Sequence, residues 1–202
     1  SSVVTTPASI AAGKYFKIQY THSKKKVKKK AINARYNNKV ISTKIPGYIE
    51  GSTSMYSAYW IFGRCSSLGT KYSYSSSKKR VTLQRNSQKL VMTLNSRTAT
   101  LNGKKFTLPS APRKIRYIAK KKNYIMVPGD IVAKKLGLNY SWNNRLLSGV
   151  ISKGSTDKPA LPIHQIKNLR LPILLEVQQR SQHLNLIILS GSKNLMVFHR
   201  LL

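Results

Sequence analysis

The residues that could carry out acid–base chemistry are few in this sequence. Four carboxylates, four histidines and one cysteine are spread over 202 residues. Proton transfer needs a carboxylate, histidine or lysine with a shifted pKa, held in place by a partner. Glu50 and Asp130 instead occupy corresponding places just before two predicted helices, where the helix dipole stabilises a negative charge by about 0.3–1 kcal/mol. We interpret them as helix-terminal residues and not as a catalytic pair.

Nucleophilic and metal chemistry are not indicated either. Cys65 lies in a predicted helix with no histidine nearby in the sequence, and the serines at 66 and 67 do not form a nucleophile elbow. Neither a glycine-rich phosphate loop nor an HExxH motif occurs. Copper needs a cluster of imidazoles, but the histidines are scattered: His22, His164, His183 and His199. The sequence therefore predicts no catalytic residue, no metal site and no cofactor.

Positive charge is the dominant property of the chain. Lysine and arginine number 37 against four aspartates and glutamates, which gives a formal net charge of +33. Such a charge repels itself and usually accompanies a polyanionic partner or surface. Lysine greatly outnumbers arginine, and its point charge favours diffuse attraction over base-specific readout. Nucleic acid, anionic lipid and the phosphate-bearing polymers of a bacterial wall are the candidate partners.

Two lysine runs are the candidate polyanion-binding residues. The run at 24–30 is typical of a solvated edge or linker, which is compatible with a role as an electrostatic anchor. A second run occupies residues 120–122. The predicted binding residues are Lys24, Lys25, Lys26, Lys28, Lys29, Lys30, Lys120, Lys121 and Lys122.

Eleven tyrosines accompany these lysines, and all of them precede residue 151. In one interpretation they form a surface that stacks against flat or sugar-like faces while lysines hold phosphate or carboxylate. In the other they fill strand positions, where aromatic residues are enriched, and point their ring edges outward. The sequence leaves both interpretations open.

The elements that must position these residues are indicated by an internal repeat. Residues 34–42 resemble residues 99–107, Met55 aligns with Met126, and residues 68–74 resemble residues 136–142. Matches in one order with small changes of offset are typical of a duplicated unit with loop insertions. Each copy is predicted to contain a hairpin, a short helix and a second hairpin.

Local signals define the elements of each copy. Asn102-Gly103 predicts a two-residue hairpin turn. Pro128 predicts the start of the second helix, and Gly137 its end. In the first copy we predict the equivalent helix over residues 54–68, and the alternation at 89–94 predicts a further strand between the copies.

Composition divides the chain into four parts. We predict a flexible leader, strand and basic run at 1–30, a duplicated domain at 31–151, a linker at 152–162 and a tail at 163–202. The tail has a possible hairpin and is either the start of a truncated domain or poorly ordered. Residues 1–150 hold 30 basic and two acidic residues, a net charge of +28. Residues 1–12 lack an apolar signal core, which we interpret as a mature or trimmed N-terminus.

These patterns predict an α+β, β-rich fold. It comprises two pseudo-repeats, each of antiparallel hairpins with one short helix packed on the sheet. No apolar run reaches 18 residues, so no transmembrane helix is predicted.

The second copy carries a resemblance to a known family. This copy has an Asn-Gly hairpin at 102–104 and a Val-Pro pair at 127–128. In its segment 132–143, a Leu-Gly pair ends the helix and a strand that contains tryptophan follows. Together these features resemble the copper amine oxidase N-terminal-like domain. This stalk domain is common in secreted proteins of Gram-positive, clostridia-type bacteria. The resemblance covers roughly residues 31–151. Gly129-Asp130 stands where the family usually has Leu-Arg, and the first copy lacks the proline.

The resemblance implies a module without chemistry of its own. In such amine oxidases the domain is a non-catalytic stalk, and copper and the quinone cofactor lie in another domain. The quinone-forming pattern of a tyrosine between asparagine and an acid is absent here, because Tyr124 and Tyr140 are followed by Ile125 and Ser141.

Charge and resemblance together predict a secreted, extracellular and cell-wall-associated module that binds or positions on teichoic acid or peptidoglycan. Relatives often precede wall-cleaving amidases. An alternative is therefore the N-terminal part of a cell-wall hydrolase of the N-acetylmuramoyl-L-alanine amidase type, with its catalytic domain missing. A less favoured alternative is a sequence-nonspecific nucleic-acid-binding protein, which explains the charge but not the duplication, and no recognised nucleic-acid motif occurs.

Overall fold

The structure, a computed structural model, describes residues 10–154. Within this range the chain forms fifteen strands, one α-helix and three short helical turns. The strands are β1 (Tyr15–Tyr20), β2 (Lys26–Lys30), β3 (Asn33–Tyr36), β4 (Lys39–Val40), β5 (Tyr48–Glu50), β6 (Thr53–Ser57), β7 (Lys71–Ser75), β8 (Arg80–Arg85), β9 (Gln88–Thr93), β10 (Thr98–Leu101), β11 (Lys104–Thr107), β12 (Arg113–Tyr117), β13 (Lys122–Pro128), β14 (Leu138–Asn143) and β15 (Ser148–Lys153). The helical parts are a π-helical turn (Ala58–Gly63), two 3₁₀ turns (Ser66–Leu68 and Ile118–Lys120) and α1 (Gly129–Lys135).

Six strands in the order β2-β1-β12-β13-β6-β5 form one sheet, which we call the curled sheet. Side chains of β1 alternate between buried and outward positions, as the sequence pattern predicts for a half-buried strand. The edge strands β2 and β5 contact each other, and the Lys29 ammonium donates to the Ile49 carbonyl at 3.2 Å. The sheet thus wraps around a small core that contains Phe16, Ile18, Tyr20, Ala31, Ile45, Tyr48, Met55, Ile115, Tyr117 and Met126.

Two further sheets enclose a larger core. Five strands lie in the order β11-β10-β9-β8-β7, and four lie in the order β14-β15-β3-β4. The pairing of β15 with β3 is parallel, whereas every other strand pair among residues 10–154 is antiparallel. Strand β6 contributes to both cores, because Met55 faces the small core and Tyr56 faces the larger one. This shared strand joins the two cores into one framework.

The β-rich architecture with antiparallel sheets and few helices is confirmed. The order of elements in residues 33–85 is hairpin, hairpin, helical segment, hairpin, and residues 98–153 follow the same order. The central strands of the two ranges, β6 and β13, pair with each other. Two pseudo-repeats in the sense of superimposable units stay a prediction.

The predicted helix over residues 54–68 is wrong at its start. Residues 54–57 belong to β6, and the helical part consists of a π-helical turn and a 3₁₀ turn. The physical reason is tertiary pairing: Tyr56 and Ser57 lie opposite Val127 and Met126 of β13. The strand predicted at 89–94 is confirmed as β9.

Other predictions fall partly beyond this range. The tail at 163–202 with its possible hairpin, most of the linker at 152–162 and the first nine residues of the leader lie outside the described residues. Among residues 10–154, no helix is both long enough and apolar enough to cross a membrane.

Candidate functional site

The outer side of the curled sheet carries a group of cations, which we call the cationic face. Because Phe16 and Ile18 point inward, the alternate residues of β1 and their direct neighbours on β2 and β12 point outward. Lys17 lies opposite Lys28, and Gln19 lies between Lys26 and Arg116. The cationic face comprises Lys17, Lys26, Lys28, Lys30, Lys114 and Arg116.

The structure divides the nine predicted lysines among three places. Lys26, Lys28 and Lys30 lie together on the cationic face. Lys29 points to the inner side, where its ammonium lies 5.2 Å from the centre of the Tyr48 ring. Their role in binding a polyanion stays a prediction.

The other five lysines lie at opposite ends of β1, four of them in loops or turns and Lys122 as the first residue of β13. Lys24 and Lys25 belong to the turn that follows β1. The lysines at 120–122 follow β12, and because β12 runs antiparallel to β1, their turn lies beside the start of β1. The two runs therefore do not form one cluster.

Sequence reasoning missed three members of the cationic face, namely Lys17, Lys114 and Arg116. No run of lysines marks them. The available signal was alternation: β1 and β12 place a buried apolar residue at every second position and polar residues between. Pairing partners cannot be deduced from such a pattern alone.

Two clefts lie on either side of Trp60. The first, which we call the tyrosine cleft, has a volume of about 260 Å³ and is lined by Ser57, Tyr59, Trp60, Tyr72, Lys114, Asn123, Tyr124 and Ile125. The second, the serine cleft, has a volume of about 340 Å³ and is lined by Tyr36, Lys39, Val40, Ile41, Ser42, Trp60, Arg64, Cys65, Ser66 and Ser67. Lys114 belongs to both the cationic face and the tyrosine cleft, so the two surfaces are continuous.

The π-helical turn positions the aromatic residues of the tyrosine cleft. The Ser57 hydroxyl accepts a hydrogen bond from the Trp60 backbone N–H at 3.2 Å and so fixes the start of the turn. Ile61 and Phe62 are buried, whereas Tyr59 is 41% exposed. Tyr59 therefore stands at the surface because its neighbours hold the turn in the larger core.

The aromatic rings of the cleft contact one another edge to face. The Tyr59 centroid lies 5.2 Å from that of Trp60 and 5.5 Å from that of Tyr72. Burial, with smaller contributions from Tyr74 and Tyr59, raises the pKa of Tyr72. Tyr124 lies opposite Ile115 and packs its ring on the small core. The cleft thus combines an exposed ring with the neutral hydroxyl of Tyr72.

Cations also surround Trp60. The Lys44 ammonium lies 5.9 Å and the Arg64 guanidinium 5.7 Å from the centroid of its ring. Neither of the two carboxylates of residues 10–154 lines either cleft. The clefts are therefore electropositive as well as aromatic.

The two carboxylates of residues 10–154 have structural partners elsewhere. Asp130 lies in the first turn of α1, as predicted, and forms an ion pair with Lys134 at 2.8 Å. The prediction that Glu50 precedes a helix is wrong, because Glu50 ends β5. There it accepts hydrogen bonds from the hydroxyls of Tyr20 and Ser110. The alignment of the two copies gave a wrong position for Glu50, because Glu50 lies in the hairpin that joins β5 to β6.

A buried arginine that sequence reasoning did not single out joins the two helical segments. Arg85 is 5% exposed. Its Nε donates to the Leu68 carbonyl at 2.8 Å, and its Nη1 donates to the Leu136 carbonyl at 3.1 Å. Both carbonyls lie at the C-terminal end of a helical segment, where a positive charge is stabilising.

Residues 10–154 contain no group of three or more histidines, cysteines, aspartates or glutamates that could hold a metal ion. Their single histidine, His22, packs against Tyr20 with the ring centroids 5.5 Å apart. Copper requires several nitrogen or sulfur ligands at one place. These residues therefore do not fit a copper site.

The fold and surface define the class as a β-rich, cationic module, and its described residues contain no group that could hold a metal ion. The family model for the copper amine oxidase N-terminal domain matches residues 35–151, more than half of the chain, and the chain belongs to this family. The family is a non-catalytic, stalk-like module, which is consistent with the absence of catalytic motifs in the sequence. No curated protein and no solved structure matches the chain.

Proposed function

We propose that this chain is a secreted, non-catalytic envelope module of a Gram-positive, clostridia-type bacterium, which binds anionic cell-wall polymer. The cationic face carries the proposal. Lys17 and Lys28 lie directly opposite each other across β1 and β2. Like charges in that position destabilise a sheet, and a polyanion bound across the face relieves their repulsion.

The chemistry of the face favours an extended polyanion without sequence-specific recognition. Five of its six cations are lysines, whose ammonium groups attract phosphate or carboxylate from many directions. Because they stand on paired strands, their spacing is fixed by the sheet. The expected result is strong but poorly selective binding that weakens as salt screens the charges.

A binding experiment with two matched variants tests the proposal. The first replaces the six cations of the cationic face with glutamine. The second replaces six exposed lysines of the five-stranded sheet and its turns, and thus has the same net charge: Lys71, Lys78, Lys79, Lys89, Lys104 and Lys105. Retention on purified, teichoic-acid-bearing wall is measured for both against the unaltered chain.

We expect the first variant to bind at least about tenfold more weakly than the second, because the affinity depends on where the cations lie and not on the net charge. Affinity of the unaltered chain should also fall steeply between low and near-molar salt. Equal losses in both variants, or binding that is insensitive to salt, would contradict the proposal. Single-stranded DNA at matched salt serves as the competing ligand, and tighter binding to DNA than to wall would favour a nucleic-acid-binding function.

A second candidate function is the positioning of a cell-wall hydrolase domain of the N-acetylmuramoyl-L-alanine amidase type. The stalk-like character of the family favours it. The gene's reading frame tests this candidate: an amidase domain encoded in frame with these residues would support it, and a frame without any such domain would contradict it.

A further inference from the structure

We propose that the tyrosine cleft binds a single anionic sugar ring, such as a hexuronic acid or a hexose phosphate within a glycan. This inference rests on the proposed function and narrows its ligand class from polyanions in general to anionic glycans. Four properties of the cleft support it: an exposed aromatic face, unengaged polar groups, cations without acids, and a size that suits one ring.

The aromatic face is provided by Tyr59. Its ring is 41% exposed, and its edge-to-face contacts with Trp60 and Tyr72 hold it in place. The face of an aromatic ring carries partial negative charge. It therefore attracts the C–H groups on one side of a sugar ring, which carry partial positive charge. A fixed ring loses little conformational entropy when the sugar stacks on it.

The polar groups needed for sugar hydroxyls are present at the cleft. Within residues 10–154, no protein acceptor engages the Trp60 indole N–H, and no hydrogen bond engages the Asn123 side chain. Ligand sites typically combine apolar walls with a few such polar groups, which fix the orientation of the ligand. These two side chains supply donors and an acceptor beside the Tyr59 ring.

The charge of the cleft selects an anionic sugar over a neutral one. Lys114 lines the cleft, whereas Lys44 and Arg64 lie within 6 Å of the Trp60 ring centre but do not line the cleft, and Arg64 lines the serine cleft. Glu50 and Asp130, the two carboxylates of residues 10–154, do not line it. A carboxylate or phosphate on the ring would form charge-assisted hydrogen bonds, which are about twice as strong as neutral ones.

The shape of the cleft favours a sugar ring over nucleic-acid bases. Its volume of about 260 Å³ is below the roughly 300–1,000 Å³ of sites for drug-sized ligands. Proteins that bind single strands stack successive bases on a row of aromatic rings. Here the Tyr59 ring meets Trp60 and Tyr72 edge to face, so these three rings do not form a parallel row.

The backbone at the cleft gives independent support. Tyr59 and Trp60 belong to a π-helical turn, a conformation that occurs frequently at functional sites. The turn also needs a close approach at Gly63, where an added Cβ would lie 3.0 Å from the Tyr72 Cβ. The cleft is thus formed by an unusual local backbone and not by a loose surface loop.

The test compares Tyr59→Ala with Tyr15→Ala as a matched control. Tyr15 is also exposed and lies beside the cationic face, where Lys28 contacts its ring. Binding is measured by calorimetry to oligogalacturonate, to neutral dextran, to polyphosphate and to oligothymidylate. A Trp142→Phe background leaves Trp60 as the reporter of indole fluorescence, because the chain has two tryptophans.

We expect Tyr59→Ala to lower the affinity for oligogalacturonate about tenfold and to leave polyphosphate binding unchanged, because only the sugar stacks on the ring. Tyr15→Ala should change neither. Dextran should bind weakly, and oligogalacturonate should shift the Trp60 emission. Tyr59→Phe should retain binding because it keeps the ring, and circular dichroism of Tyr59→Ala checks that the alanine variant is folded. Galacturonate and glucose 6-phosphate as competitors show whether carboxylate or phosphate is the preferred anion, and competition by either supports the inference.

Equal effects of Tyr59→Ala on oligogalacturonate and polyphosphate, or no effect on either, would overturn the inference. A larger effect on oligothymidylate than on oligogalacturonate would also overturn it, because the cleft would then bind bases. If neither polyphosphate nor wall binds the unaltered chain, the proposed function itself is wrong. Failure of the two proposals can thus be told apart.

Discussion

The helical segments that follow β6 and β13 occupy the same place in the order of elements but differ in structure. The first is a π-helical turn, Ala58–Gly63, followed by a 3₁₀ turn, Ser66–Leu68. The second is the regular helix α1, Gly129–Lys135. Both end at a glycine in the left-handed conformation: Gly69 with φ of 67° and Gly137 with φ of 80°. The ends of the segments are thus alike, and their beginnings differ.

Because of this difference, the first segment helps to form the surface clefts, whereas α1 has a structural role. The π-helical turn is wider than an α-helix and places Tyr59 and Trp60 side by side at the clefts. Helix α1 buries Val132 and Ala133 and pairs Asp130 with Lys134 at its surface. If the tyrosine cleft binds a ligand as we propose, one position in the fold serves recognition while its counterpart serves packing.

The side chain or the backbone of Tyr56 is linked to both segments. It lies in β6, two residues before the first segment begins at Ala58, and its ring lies so close to Gly129 that any Cβ there would overlap it. Its hydroxyl accepts from the Gly149 N–H at 3.1 Å and lies 3.1 Å from the Tyr140 hydroxyl. Substitution or ionisation of Tyr56 should therefore affect both segments at once.

Alkaline pH should destabilise both segments together. Burial, with a further contribution from Tyr140, raises the pKa of Tyr56, and burial raises the pKa of Tyr48 in the small core. Below pH 10 the folded and the unfolded chain both keep these protons, so the tyrosines do not lower the free energy of unfolding. Above pH 10 the unfolded chain releases them first. Each tyrosine that keeps its proton in the folded chain should then cost about 1.4 kcal/mol per pH unit above pH 10.

Urea unfolding from pH 8 to 12 measures this effect. Tyr48→Phe and Tyr56→Phe each remove one titrating group, so each variant should show a smaller loss of stability per pH unit than the unaltered chain. Since all three chains share the same lysines, the difference between them isolates the tyrosines. Equal slopes in all three would contradict the prediction.

Replacement of Arg85 tests whether the similar ends of the segments depend on one residue. Arg85→Met keeps most of the side-chain length but removes the donors to the Leu68 and Leu136 carbonyls. We expect a loss of about 3 kcal/mol or more in the free energy of unfolding, because hydrogen bonds to a charged group contribute about 1.5–3 kcal/mol each.

Arg80→Met is the matched control for this substitution. Arg80 begins the strand that Arg85 ends, but it is exposed. Its replacement should change stability by less than about 0.5 kcal/mol, as is usual for surface positions. Similar values for the two variants in urea unfolding would show that Arg85 does not join the segments.

At neutral pH the two buried tyrosines should differ. Tyr56→Phe leaves the Gly149 N–H without its partner and should cost about 1–3 kcal/mol. The Tyr48 hydroxyl is buried and has no hydrogen-bond partner among residues 10–154, so Tyr48→Phe should be neutral or slightly stabilising. Thermal unfolding at pH 7 measures both, and a larger loss for Tyr48→Phe would contradict the expected order.

The elements that the sequence predicted correctly depend on local chemistry. The turn at Asn102-Gly103 has positive φ at both residues, which asparagine and glycine tolerate. Pro128 precedes the first residue of α1, and Gly137 follows the helix in the left-handed conformation. Each of these features is decided by a few adjacent residues, so a single sequence suffices to predict it.

The features that were missed depend on contacts between distant residues. Residues 55–57 form a strand because β13, some 70 residues later, pairs with them. The cationic face likewise depends on the pairing of β1 with β2 and β12. The tyrosine cleft combines side chains from residues 57 to 125. Composition showed that lysines and tyrosines are abundant, but only the pairing of strands shows which of them meet.

Ser57→Ala should loosen the start of the first segment. The hydroxyl accepts from the Trp60 backbone N–H, and loss of such a cap typically costs about 1 kcal/mol. The same substitution should change the fluorescence of Trp60, because the turn that holds its ring is released. Ser57→Thr retains an acceptor and should lose less stability. Equal losses in the two variants would show that the hydroxyl does not cap the turn.

Asp130→Asn tests the start of the second segment and should have the smallest effect. Helix α1 has no side-chain hydrogen bond at its N-terminal cap. The negative charge of Asp130 in its first turn takes the place of the side-chain cap that begins the first segment. A negative charge in that turn contributes about 0.3–1 kcal/mol, and the exposed pair with Lys134 contributes little beyond it. We expect urea unfolding to show a loss within that range which shrinks as salt is added, while Ser57→Ala keeps its full effect at every salt concentration. If instead salt changes neither loss, or changes both equally, charge is not what distinguishes the beginnings of the two segments.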